Sequence, residues 1–232
     1  LCRLITKGAV VECPITSADI RLYLTIYGPD VALIQGKTHQ RKSKPIRDET
    51  IPMMVPTEQE IHIDIMFIDK DPYLVSVSKP MHLMMATYLG NSRSGPNLRV
   101  KLAEQLKAYE AKKFVVTLVL SDGEKGISGM LGALNSLGVT LNICSPGQHV
   151  PVVENAIKVI KERIRCVLSQ LPYTLPKAFM RYLVLFVIGR LNMVPSKSTG
   201  DYICAREKFL GRKTNIKRDA RICFGQLVMI PL

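Results

Sequence analysis

The chain has 232 residues, 47% of them hydrophobic, which is enough to build one good-sized core and excludes a disordered polymer. Lysine and arginine outnumber aspartate and glutamate by 32 to 19, a net charge of +13 that favours a polyanionic partner, nucleic acid first. Six cysteines without close pairing suit free thiols in an intracellular protein better than zinc or disulfides, and the most apolar run, 182–189, is far short of the roughly 20 residues that span a bilayer.

In chain order, residues 1 to about 35 read as a small helical lead-in, with Ser17, Ala18 and Asp19 placed to cap the weak helical spacing of Ile20, Leu22, Leu24 and Ile26. From Gly36 to Pro56 the composition is that of a basic linker, with Lys37, Arg41, Lys42, Lys44 and Arg47 among prolines. Residues 61–68 are apolar and β-branched, the pattern of a strand buried on both faces, and 73–77 and 83–88 add two more strands in an antiparallel meander. A helix is predicted over 98–111, with Leu98, Leu102 and Leu106 as its stripe and Asn97 as its cap. A strand over 114–120, a Gly-rich helical stretch over 125–137 and a strand over 139–143 follow.

The helix over 152–168 carries the clearest pattern. Val153, Ile157, Ile160, Ile164 and Val167 recur at four- and three-residue intervals as a core stripe, and Glu154, Lys158, Lys161 and Arg165 repeat those intervals one residue later. A second apolar helix is predicted over 175–192. Beyond Pro195 the chain is basic through Arg206, Lys208, Arg212, Lys213, Lys217, Arg218 and Arg221, and 222–230 reads as strands entering a small barrel. The order β-β-β-α-β-α-β-α predicts an α/β fold with a mixed sheet flanked by helices.

Three acids stand at the edges of these apolar runs. Asp64 lies within the first buried strand, Asp122 where the fourth strand meets a Ser-Asp-Gly turn, and Glu154 in the first turn of the long helix after a loop containing Gln148 and His149. Carboxylates gathered together repel unless cations separate them, and hard oxygen ligands select magnesium or manganese. Two such ions can activate an attacking oxygen and stabilise a leaving oxygen on one phosphate, so the expected chemistry is phosphoryl or nucleotidyl transfer. Asp69 and Asp71 compete with Asp64 but sit at a turn signal; Glu124 competes with Asp122; Glu162 competes with Glu154 but lies two helical turns further on. Taken one at a time, Asp122 reads as a turn residue, Glu154 and Lys158 as an ordinary surface pair, and His62 and His149 as satisfied hydrogen-bond partners.

Together these residues resemble the integrase catalytic cores of retroviruses and long-terminal-repeat retrotransposons over about residues 58–213. The family's Asp, Asp, Glu triad falls on Asp64, Asp122 and Glu154, and Lys158 matches a lysine that approaches the viral DNA end. The segments 190–195 and 205–213, the latter ending Gly211-Arg212-Lys213, are similar to two segments of retrotransposon integrases. Gly123 stands where the family commonly has Asn, and the spacing from Asp122 to Glu154 is shorter than usual. The family's amino-terminal zinc module and most of its carboxy-terminal domain are not found in this sequence, so by this resemblance the chain is expected to be a piece of a polyprotein.

The resemblance implies a ribonuclease H-like fold, a lead-in and linker over 1–57, a catalytic core over 58–195, and over 196–232 a basic segment with the start of a barrel. It implies an integrase that trims element DNA ends and joins the 3′ hydroxyl to target DNA, using two Mg2+ or Mn2+ ions on Asp64, Asp122 and Glu154. Gln148, His149, Lys158, Lys161 and Arg165 are then the DNA-contacting residues, the protein acts as a homo-oligomer without a membrane anchor, and it works in the nucleus or in a cytoplasmic virus-like particle. The alternative is a catalytically inactive nucleic-acid-binding remnant of such an element; a ribonuclease H or a transposase of the same fold is a third reading.

Overall fold

A computed structural model describes residues 5, 10–11, 13–31, 55–90, 92–122, 127, 129, 131–135, 138–144, 151–195, 202–220 and 222–226. The chain divides into two compact units, Pro52–Lys161 with Lys208–Leu210, and Leu1–Ile51 with Glu162–Glu207 and Gly211–Leu232. This division into units does not test the expected boundaries at 57 and 195. Phe209 explains one exchange: its ring packs at 5.7 Å on Tyr109 and 6.0 Å on Phe114, tying residues 208–210 to the sheet unit. Most of the expected linker, 36–54, lies outside the described residues.

The first unit is built on a five-stranded sheet. Its strands are β2 (Glu58–Ile68), β3 (Asp71–Lys79), β4 (Met84–Tyr88), β5 (Val115–Ser121) and β6 (Thr140–Ile143), in the order β4-β3-β2-β5-β6. The pairs β2·β3 and β3·β4 are antiparallel, while β2·β5 and β5·β6 are parallel. The sheet is therefore mixed, as the element order predicts. A tight hairpin joins β2 to β3 through Asp69 and Lys70, both at positive φ (47° and 71°), the geometry of a two-residue turn matched to strand twist.

Ile61, Ile63, Leu74, Val75 and Val119 are all 0% exposed. Burying each such side chain contributes about 1.5–3 kcal/mol, and this makes the sheet rigid enough to hold polar groups at its end. Helix α2 (Gly95–Glu110) covers it with Leu98, Leu102, Gln105 and Tyr109. The stripe runs 98, 102, 105, 109 rather than through Leu106, because a 3.6-residue period needs a three-residue step after each four. Gln105 donates to the Leu74 carbonyl at 3.2 Å and to the Thr87 hydroxyl at 2.9 Å, locking α2 to β3 and β4. Asn97 is not the cap: Ser94 occupies the cap position, and the Asn97 amide donates to the Leu89 and Ser92 carbonyls. A short helix, α3 (Leu131–Asn135), precedes β6. Helix α4 (Pro151–Gln170) begins in this unit.

The second unit holds helix α1 (Ser17–Tyr27), capped by a reciprocal Thr16–Asp19 box rather than by Ser17, with no buried residue along its length. Its strands β1 (Val10–Val11) and β7 (Thr214–Asn215) pair in parallel. Helix α5 (Met180–Leu191), preceded by a 3-10 turn at Lys177–Phe179, buries Leu183, Val184, Val187 and Ile188. Helices α6 (Ala205–Leu210, whose last three residues belong to the sheet unit) and α7 (Ile216–Asp219) complete it. Gly211 ends α6 at φ +66°, a left-handed position that favours glycine. Arg190 on α5 fastens the C-terminal segment by donating to the carbonyls of Asp219 (2.6 Å) and Ile222 (2.8 Å). The expected barrel strand over 222–230 differs from what is seen: 222–226 turn rather than extend, with Gly225 at φ +75°, and 227–230 lie outside the described residues.

Candidate active site

Two strands carry the first two acids to one place. In the parallel β2·β5 ladder Ile63 lies opposite Ser121, so the next residues of the two chains, Asp64 and Asp122, are neighbours in register on one face of the sheet. Ile63 and Ile65 on the other face are buried, which fixes how Asp64 is presented. Asp64 is half-buried, and its Oδ1 accepts the Ile65 backbone N–H at 2.6 Å.

Asp122 follows the last residue of β5 and is also half-buried. The Ser121 hydroxyl donates to the Asp122 carbonyl at 2.9 Å, while Oδ1 of the Asp122 carboxylate is buried with no hydrogen-bond partner among the described residues. An unsatisfied buried acceptor costs about 1–3 kcal/mol, more when charged, and a cation beside it would remove that cost. The pair offers only hard oxygen donors apart from the peptide groups, and this donor set fits Mg2+ or Mn2+.

Glu154 sits in the first turn of α4 and is half-buried, between buried Val153 and the buried Ala156–Ile157 pair. Of the predicted stripe Val153, Ile157, Ile160 and Ile164 are buried and Val167 is half-buried, whereas Lys158 and Arg165 are exposed and Lys161 half-buried, so the cationic stripe faces solvent. Gln148, His149, Gly123 and Glu124 lie outside the described residues. Among the described residues no three of His, Cys, Asp and Glu form a group able to hold a metal ion. The structure thus brings Asp64 and Asp122 together and does not gather Glu154 into one ligand group with them.

The competing acids fall elsewhere. Asp69 is exposed at the hairpin tip, Asp71 opens β3, and Glu162 is half-buried further along α4. Two further groups lie near the aspartates, one without a role in the sequence reading and one with a different role there. The Cys144 backbone N–H donates to the Ser121 carbonyl at 2.8 Å, which puts this half-buried free thiol at the register level of Asp122. Its position after the strand 139–143 was the available signal, but a thiol is a poor ligand for a hard cation. His62, on the same face as Asp64, is buried with both ring nitrogens lacking partners among the described residues, where the sequence suggests a satisfied histidine. Burial and then Lys79 lower its pKa, and His82 acts in the same direction against Glu60, so the ring is neutral near pH 7.

No protein-family model matches the sequence, and no curated protein does. Among solved structures the chain is similar to the crystal structure of the catalytic core domain of BIV integrase, at 16% identity and a TM-score of 0.50, over 66% of this chain and 93% of that one. At that identity the likeness defines architecture: this protein has the ribonuclease H-like fold of an integrase catalytic core.

Proposed function

We propose that the protein is a metal-dependent polynucleotidyl transferase, an integrase that trims the DNA ends of its element and joins the new 3′ hydroxyl to target DNA. One observation carries the reading: Asp64, within β2, and Asp122, just past the end of the neighbouring β5, stand in register, with a buried carboxylate oxygen of Asp122 left without a donor among the described residues. A net charge of +13 and the cationic face of α4 support a DNA substrate. The resemblance of motifs at Asp64, Asp122, Glu154 and 205–213 points the same way, and to a long-terminal-repeat element working as a homo-oligomer.

Asp64 and Asp122 would share one divalent ion, and Glu154 would complete the site for a second. Such ions polarise the phosphate, lower the pKa of an attacking oxygen and neutralise the leaving one. The chain's own part is positioning. The β2·β5 register fixes the two carboxylates, buried Ile63, Ile65 and Val119 keep their backbones from yielding, and Lys158, Lys161 and Arg165 hold the DNA backbone along α4. In each step a hydroxyl oxygen, from water and then from the 3′ end, attacks phosphorus in line. One P–O bond forms, one breaks, and the proton lost by the nucleophile is balanced by one gained by the leaving 3′ oxygen.

A second reading, a catalytically inactive DNA-binding remnant, is favoured by the lack of a three-ligand group among the described residues. Disintegration of a branched DNA oligonucleotide in manganese separates the two. The native chain is expected to resolve the branch and Glu154→Gln is expected to fail while binding the same DNA. A folded native chain that binds and never cuts would establish the remnant, and equal activity of the two proteins would remove Glu154 from the site.

A further inference from the structure

The cation cluster around Asp219 has no part in that chemistry. Asp219 closes α7 and its side chain is only 5% exposed, yet three guanidinium groups converge on it. Arg206 Nη2 donates to Oδ1 at 3.1 Å, Arg218 donates through Nε to Oδ1 and through Nη2 to Oδ2, both at 3.1 Å, and Arg212 Nη1 lies 3.7 Å from Oδ1. The Asn215 backbone N–H fills Oδ2 at 3.0 Å. Burial opposes the charged carboxylate, but Asn215, Arg218 and Arg206 outweigh it and hold its pKa below the ordinary value, so the carboxylate stays ionised.

One negative charge does not neutralise three positive ones. The cations remain reachable, at 27% exposure for Arg206, 45% for Arg212 and 55% for Arg218. Each guanidinium has five N–H donors in a planar fork, and one carboxylate can occupy only a few of them. A structural ion pair needs one arginine. Three held on one buried anchor form a preorganised fork that keeps two uncompensated charges and unused donors, the chemistry that recognises successive phosphates. Arg190 is a fastener by contrast, since its donors go to the Asp219 and Ile222 carbonyls.

We propose that Asp219 positions Arg206, Arg212 and Arg218 as a clamp for the backbone phosphates of nucleic acid. The inference rests on the proposed nucleic-acid function for its ligand, but not on catalysis, so binding in EDTA tests it separately. Asp219 is a positioning residue here and the three arginines are the contacts.

The measurement is the salt dependence of binding of the full chain to a duplex oligonucleotide of arbitrary sequence, in EDTA. For Arg212→Gln combined with Arg218→Gln, the slope of log K against log salt is expected to fall by nearly two, since each phosphate contact contributes about 0.9. Lys112→Gln, an exposed cation after α2, is the control and is expected to leave the slope unchanged. Asp219→Asn gives the sharper sign. Removing a negative charge should tighten binding to a polyanion if charge alone matters, whereas loss of the anchor should weaken it, and Asp219→Glu should recover part of the loss. An unchanged slope in the double variant, an equal loss in Lys112→Gln, or tighter binding by a folded Asp219→Asn would overturn the clamp. If Asp219→Asn does not fold, the double variant at partly exposed positions still decides. A chain that binds through the clamp and never cuts would sink the catalytic proposal alone.

Discussion

Asp122 and Asp219 are the same side chain treated in opposite ways. At Asp219 both carboxylate oxygens are filled by N–H donors, while at Asp122 one oxygen is buried beside another carboxylate-bearing strand and has none. A fold keeps a saturated buried acid because its partners stabilise it, and an unsaturated one costs stability unless something outside the chain completes it. Two aspartates equally visible in the sequence are thus separated by their donors: one organises neighbours, and the other keeps an acceptor unfilled among the described residues.

The largest consequence falls on activity. Asp122→Asn should reduce strand transfer on the order of 10³-fold or more, the several kcal/mol that metal-centred charge stabilisation supplies. Its thermal midpoint should not fall, because the change removes a charge that the protein does not satisfy. Melting curves and strand-transfer assays on the same preparation check both halves; lost activity with a lowered midpoint would mean that Asp122 is structural, like Asp219.

The converse holds for Asp219→Ala. Removing one partner from a fully buried ion pair costs about 3–5 kcal/mol, and since the three arginines are partly solvated, about 1–3 kcal/mol is expected here. Urea unfolding measures it. The pH dependence carries the sign: the folded carboxyl titrates below its ordinary value of 3.8, so its contribution is present above that pH and is lost as pH falls through the lower folded value. In Asp219→Asn that part of the acid limb should flatten. A limb identical to the native one would mean that the ion cluster does not contribute to stability.

The two regions also differ in how far the sequence revealed them. Strands β2 to β6 and the helices α2 and α4 were legible because burial on both sides of a sheet, or along one stripe, writes a period into the residues themselves. Asp122 was legible because a strand end adjoins a turn, and Asp64 because a charge within a run buried on both faces stands out. Their pairing was legible only through the family resemblance, since register is a relation between residues far apart in the chain and depends on a bulge at Gln59/Glu60 that no local pattern announces. The same limit hid the Asp219 clamp: Arg206, Arg212 and Arg218 read as separate members of a basic run, and only α6, β7 and α7 folding back bring them to one carboxylate. Asn97 does not cap α2, and of the segment Ser17–Asp19 only Asp19 joins the cap of α1, because a cap is decided by backbone geometry one to three residues away from an equally suitable side chain.

A third polar group tests whether a missing partner always signals function. The Tyr109 hydroxyl is buried and has no well-formed hydrogen bond among the described residues; burial pushes its pKa up to about 12, with the nearby Ser78 hydroxyl acting in the other direction. Ser78 already accepts the Leu83 backbone N–H at 3.1 Å, and the Tyr109 ring packs against Phe209 whatever its substituent. Tyr109→Phe therefore removes an unsatisfied oxygen while keeping the ring contact, and should leave stability unchanged or raise it by up to about 1 kcal/mol, a rise in midpoint of roughly 2–4 °C. Activity should be untouched, because α2 carries no acid of the candidate site. A clear loss of stability would show that the hydroxyl has a partner, a bound water being the simplest, and would mean that the same explanation must be tried first at Asp122.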